Sequence, residues 1–211
     1  TEIAKAFNIK GLEELEKIEA GVNASLDSKK AGDIDSKEVQ IIKGLIRRTE
    51  ARSAAIATGV KRENIHALDL PFYETGRVKK KPIGPEDIAI VKNFLNNIKP
   101  DQIYAAGDLT DPHGTHRVCL DAILKSFTEL ENDKSEWFSK CDVFLYRGAW
   151  QEWEPEKITM AVPMSPEELY AKRLAIFKHQ SQKDPALFPG SDAREFWQRS
   201  EARNKKTAEV Y

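Results

Sequence analysis

Apolar residues recur along this chain in two alternating rhythms, one helical and one extended. After Ser36, the residues Val39, Ile42, Leu45 and Ile46 share one face at helical spacing, and Ala51, Ala54, Ala55 and Ala57 continue it with small side chains that permit close packing. Ser36 and Glu38 stand where a helix starts, and Gly59 stands where it stops. Pro85 opens another helix, with Ile88, Val91, Leu95 and Ile98 on one face and Lys99-Pro100-Asp101 at its end. A third is expected from near Pro112, carrying Cys119, Ile123, Phe127 and Leu130. Ahead of them, Glu2 to Leu26 reads as helix and Asp27 to Asp35 as a polar loop. Two long helices are expected to close the chain, at about 165–182 and about 191–209.

Short apolar runs punctuate these helices: 65–70, stopped by Pro71; 103–107, reading IYAAG; and 141–146, reading CDVFLY. Each has the length and composition of a buried strand. Strands alternating with helices of a dozen or more residues specify βαβ units. The expectation is an α/β fold with a mostly parallel sheet and helices on both faces, forming one domain over residues 1–211.

Composition narrows the function classes. The 211 residues include 33 basic and 34 acidic side chains, for a net charge of −1, which argues against a nucleic-acid partner, since such surfaces carry a basic surplus. No apolar run reaches the ~18 residues that a bilayer crossing needs, and no signal peptide opens the chain, so no membrane partner and a cytoplasmic, reducing location are expected. Cys119 and Cys141 have neither metal-site nor disulfide-framework spacing and read as small buried hydrophobes. The chain opens on Thr1 within a helical pattern and so reads as a fragment, with an upstream fused domain or a homo-oligomer as candidate partners.

In an open parallel sheet, ligands bind beyond the carboxyl ends of the strands. The IYAAG run leads into Asp108-Leu109-Thr110-Asp111-Pro112-His113-Gly114-Thr115-His116-Arg117. A helix starting at Pro112 would put His113 and His116 on one face of its first turn, beside Asp108 and Asp111. One reading is a metal-assisted site, with imidazole ligands and carboxylates to orient them. The other is a polar βα loop with capping and surface histidines. Two histidines fall short of the three protein ligands usual for catalytic zinc, so a metal site would need another segment.

Arg47-Arg48-Thr49-Glu50-Ala51, Gly59-Val60, IYAAG, the histidine pair and the run from Lys172 to Gln182, with its His179-Gln180-Ser181-Gln182 ending, together resemble the PIG-L/LmbE family over about residues 40–185. The AGD-LTDPHGTH version looks most like the domain fused behind a glucosamine-6-phosphate deaminase-like half in some large bacterial proteins. The resemblance implies a Rossmann-like three-layer fold whose first strand is missing from this chain. It also implies zinc-dependent N-deacetylation of a small amino sugar of the N-acetylglucosamine type. Residue by residue, it implies His116 as a zinc ligand, His113 as the group steadying the tetrahedral intermediate and Arg47 as a substrate contact. The family's H-P-D-H is H-G-T-H here, with Thr115 at the acidic position; Asp108 and Asp111 are candidate replacements as orienting carboxylates. The family's A-H-P-D-D motif, which carries two further ligands and the base, is absent from the chain, so the zinc site is incomplete. The alternative is a non-catalytic domain that binds a sugar phosphate or supports a fused enzyme. This segment has none of the glycine-rich loop or acid/base residues of the deaminase half.

Further residues carry weaker signals. Trp150 and Trp153 follow the third strand, where an indole can stack on a sugar or, more simply, pack as a lid over the sheet end. Lys79, Lys80 and Lys81 can attract a phosphate or form a solvated loop. His179 is either structural or part of the site, and His66, inside the first apolar run, reads as structural.

Overall fold

The computed structural model describes residues 2–30, 32–73, 81–107, 110, 114–147, 151–182 and 194–210. The protein is mixed α/β and mostly helical. In chain order its main elements are α1 (Glu2–Ala6), α2 (Leu12–Asp27), α3 (Lys37–Ala57), α4 (Pro85–Ile98), β1 (Gln102–Ala106), α5 (Thr115–Asn132), β2 (Asp142–Tyr146), α6 (Pro166–Phe177) and α7 (Phe196–Val210). They fall into two compact units, one drawn from Thr1–Ala67 and Met164–Glu195, the other from Leu68–Tyr73, Lys79–Pro163 and Phe196–Tyr211.

In the first unit, α1, α2 and α6 all pack on α3. Ser36 caps α3 as its position suggests, its hydroxyl accepting from the Val39 amide at 3.4 Å. Of the expected apolar face, Val39 is buried, Ile42 and Leu45 are half-buried, and Ile46 is exposed. Gly59 ends the helix at φ +92°, a left-handed conformation that glycine adopts without a Cβ penalty. The loop before α3 is anchored by Asp35, which is buried and held by Lys29 and by Lys43, the latter at 2.9 Å. Ser165 and Glu168 form the reciprocal cap of α6, with Glu168 Oε2 accepting from the Ser165 amide at 2.7 Å. The expected single N-terminal helix is two helices. Asn8 turns left-handed at φ +51°, and the Glu14 carboxylate accepts from the amides of Lys10 and Gly11, starting α2 afresh.

In the second unit, β1 and β2 pair in parallel, Gln102 opposite Asp142 through Ala106 opposite Tyr146. Helix α5 packs on β1 and on α4. Its inner face supplies buried Leu120, Ala122, Phe127 and Leu130, which join Val91, Ala105 and Phe72 as the core of this unit. Phe138 lies against Phe127 with ring centroids 5.0 Å apart and planes tilted by 34°. Asp87 is buried because both carboxylate oxygens are used: one accepts from the Phe72 amide at 3.0 Å, the other from Gly84 at 2.8 Å, capping α4 behind Pro85. The Trp137 indole donates to Asn96 Oδ1 at 3.0 Å.

Two of the three expected strands form, and both pair in parallel. The run 65–70 does not form a strand: it joins no ladder, and Asp69 at φ +51° turns the backbone out of the extended region. His66 within it is exposed. The third expected helix begins at Thr115 rather than near Pro112, because Gly114 precedes it in a left-handed conformation at φ +68°. Helix α6 stops at Phe177 and is followed by a 3-10 turn over Gln180–Gln182, and α7 begins at Phe196. Both cysteines are half-buried. Burial, reinforced by Asp142 and Asp101, pushes the Cys141 thiol up, which keeps it protonated and unreactive. No described helix is long and apolar enough to cross a membrane.

Leu130 has no solvent exposure. Leu130→Ala should therefore destabilise the second unit by about 2–5 kcal/mol, as buried leucine truncations do. Denaturant unfolding of the variant beside the wild type checks this; a loss below about 1 kcal/mol would mean that Leu130 is not a core residue.

Candidate functional site

The carboxyl end of the sheet is built from Gly107, Arg147 and Trp153. Gly107 leaves β1 and donates to Tyr146 O at 2.8 Å. A Cβ there would lie 2.8 Å from Leu145 Cβ and 3.4 Å from the Trp153 ring, so only glycine permits this approach. Arg147 leaves β2 and folds back: Nε donates to Gly107 O at 3.1 Å, and the guanidinium carbon lies 3.6 Å from the Trp153 ring centre. Trp153 donates from Nε1 to Leu145 O at 2.9 Å. The indole is thus held by a hydrogen bond, a cation and a glycine contact, which is the packed-lid reading of this tryptophan. Trp150 lies outside the described residues.

A second cluster, in the first unit, joins parts of the chain 131 residues apart. Glu50, on α3, accepts from the Ser181 amide through Oε1 at 2.5 Å and from the Ser181 hydroxyl through Oε2 at 2.6 Å. Burial alone would raise the Glu50 pKa; the two Ser181 hydrogen bonds, with the attraction of His179 and Arg47, outweigh it and hold the carboxyl below the usual range. Glu50 is therefore an ionised clamp with both oxygens engaged, not a proton acceptor waiting for a substrate. The clamp pins the turn after α6 to the middle of α3. Gln182 Nε2 lies 3.4 Å from His179 Nδ1 within the same turn. Arg47, one helical turn before Glu50, is exposed.

The residues expected from the sequence divide accordingly. Arg47 stands beside the clamp in the first unit, and His179 belongs to the same cluster. His116 is half-buried on the first turn of α5 in the second unit. Helix α5 starts at Thr115, after Gly114. His113, Asp108 and Asp111 lie outside the described residues, as do Lys79 and Lys80; Lys81 is exposed. Sequence reasoning missed the roles of Glu50, Ser181, Arg147 and Gly107. Glu50 and Ser181 were visible as motif letters, but only the fold shows that they bond to each other.

The described residues do not fit a zinc ion by themselves. Among them no three His, Cys, Asp or Glu side chains gather into a metal-holding group, and His116 is the one described member of the expected ligand set, where three are usual.

The chain is 54% identical over 192 residues to a Bacteroides thetaiotaomicron protein named "Putative glucosamine-6-phosphate deaminase-like protein". The match takes in 91% of this chain and 29% of that relative, so the chain spans less than a third of the relative's length. No family model matches the chain, and no solved structure does.

The clamp predicts a pH dependence. A carboxylate whose folded pKa is lowered contributes stability that is present above its unfolded pKa and is lost as pH falls through the folded value. In an acid titration followed by NMR, the Ser181 amide resonance should therefore move only below the range where exposed glutamates titrate, and Glu50→Gln should abolish that step. A Ser181 step at the ordinary glutamate pH would contradict the clamp.

Proposed function

We propose that this chain is one domain of a larger amino-sugar enzyme, the domain that removes an N-acetyl group from an N-acetylglucosamine-type substrate. The observation that carries the reading is the Glu50–Ser181 clamp. The R-x-x-E and H-x-S-Q segments, on which the resemblance to the PIG-L/LmbE deacetylases rests, are joined by two short hydrogen bonds although 131 residues separate them. The name of the Bacteroides relative supports the amino-sugar class, since it refers to a glucosamine phosphate. In this reading β1 and β2 belong to a Rossmann-like three-layer sheet completed by polypeptide outside this chain.

The roles follow the positions. Arg47 presents an exposed guanidinium that can fork onto a sugar hydroxyl or phosphate, and the clamp beneath it fixes the helix that carries it. In sequence His113 and His116 follow β1, and in such folds the chemistry lies beyond the carboxyl ends of the strands. His113 would donate to the oxyanion as the acetamide carbonyl is attacked. His116 would be a zinc ligand, with the remaining ligands and the base drawn from outside this chain; zinc there would polarise the amide carbonyl. A supporting, non-catalytic domain of the same enzyme is the second reading, favoured by Thr115 at the position where the resemblance expects an acidic residue.

One assay separates the two. The chain with its flanking polypeptide is incubated with zinc and N-acetylglucosamine, free or 6-phosphorylated, and acetate release is followed beside protein-bound zinc. The deacetylase reading expects acetate release, loss of bound zinc in His116→Ala, and turnover about 10²–10³-fold slower with zinc retained in His113→Ala. Zinc content unchanged in His116→Ala removes its ligand role. No acetate from either sugar leaves the supporting role. The 211-residue chain alone is expected to be inactive; acetate release by it would place the site on residues other than these.

A further inference from the structure

Two connections meet at the amino end of the sheet, opposite the end built from Gly107, Arg147 and Trp153. Lys99-Pro100-Asp101 leads from α4 into β1, and the segment from Asp133 to Cys141 leads from α5 into β2. Between them lies a groove of about 540 Å³, within the roughly 300–1,000 Å³ usual for small-molecule sites. The strands separate it from the carboxyl end of the sheet by roughly 15 Å, the length of five extended residues.

The walls of the groove are set by the fold. Helix α4 stops where Lys99 turns left-handed at φ +50°, its amide donating to Leu95 O at 2.7 Å. Trp137 is half-buried, and its Nε1 donates to Asn96 Oδ1 at 3.0 Å. Its ring crosses that of Phe138 at 71° with centroids 5.6 Å apart, and Phe138 lies against the buried Phe127. The indole is therefore held by a hydrogen bond and by the core before any ligand arrives, which cuts the ordering cost of binding. With Nε1 committed to Asn96, what Trp137 offers the groove is its ring carbons. Around that ring the lining is polar and its charges balance. Lys99 and Lys140 are matched by Asp101 and Glu136, with Lys140 and Glu136 paired at 2.9 Å. Asn96 adds an amide and Ser135 a hydroxyl. An anion would meet the two acids as well as the two lysines, and a cation the reverse, so the balance selects neither.

We propose that this groove binds a neutral saccharide, as a holding site separate from the carboxyl end of the sheet. A pyranose matches each feature of the lining. Its C–H face covers the ring carbons of an indole, and its hydroxyls both donate and accept, so that carboxylate, ammonium, amide and hydroxyl groups can all be used around one sugar ring. Trp137 is the platform, and Asp101, Asn96 and Lys99 are the partners of the hydroxyls. In open parallel sheets the chemistry lies at the other ends of the strands, so occupancy here tethers a saccharide and does not convert it. The inference does not depend on the deacetylase reading, since it needs neither zinc nor turnover.

Titration of the zinc-free chain with methyl glucoside or N-acetylglucosamine, followed by NMR of the indole N–H groups, tests it. The Trp137 resonance, identified by its loss in Trp137→Phe, should shift saturably with millimolar affinity. Asp101→Asn should weaken that binding about tenfold or more, as loss of a charged hydrogen-bonding group does. Asp101 is an exposed residue of a connection, so this variant keeps the test open if Trp137→Phe does not fold. N-acetylglucosamine 6-phosphate should bind at Trp137 no more tightly than the unphosphorylated sugar. No saturable shift at Trp137 overturns the proposal, as does equal affinity in the wild type and Asp101→Asn. Tighter binding of the phosphorylated sugar at Trp137 overturns the neutral class and makes the groove an anion site. A Trp137 shift that follows protein concentration without sugar also overturns it, giving the groove to a second copy of the chain.

Discussion

Both oxygens of Glu50 are spent on Ser181, one on its amide and one on its hydroxyl. A carboxylate so engaged cannot also serve as a base, and it cannot move without freeing two donors. The turn that ends α6 is therefore fixed on α3, and with it His179 and Gln182, while Arg47 stands one helical turn away on the same element. Helix α6 and the turn after it both pack on α3. The first unit is in this sense organised around one charge-assisted clamp and a second anchored carboxylate, Asp35, at the entrance to α3.

The second unit is organised by backbone pairing instead. The β1–β2 ladder ends at Gly107, where the absence of a side chain lets Trp153 and Leu145 close over the backbone. Arg147 then links the strand ends to the indole. The carboxyl end of the sheet is thus tied together on the β2 side. Among the described residues the sheet has two strands.

Much of this was legible from local chemistry. Ser36, Pro85 and Ser165 mark helix starts because their side chains or fixed φ satisfy the first turn, and Gly59 marks a stop because it accepts a positive φ. The IYAAG and CDVFLY runs became strands because each found the other. The run 65–70 did not, because strand formation is a property of the partner as well as of the sequence, and Asp69 bends away. The start of α5 was misplaced because Pro112 suits a first helical turn, yet Gly114 takes the left-handed conformation and begins the helix later. Of the candidate site, Arg47 and His116 were readable as motif letters. The Glu50–Ser181 bond and the Arg147–Trp153 stack were not, since each rests on residues brought together only by folding.

The central claim is that the R-x-x-E and H-x-S-Q segments form one device through Glu50 and Ser181. A double-mutant cycle with Glu50→Ala and Ser181→Ala, read by denaturant unfolding, measures that bond most directly. The account predicts a coupling free energy of at least about 1 kcal/mol, as expected for a hydrogen bond to a charged group. Strictly additive single and double variants would contradict it.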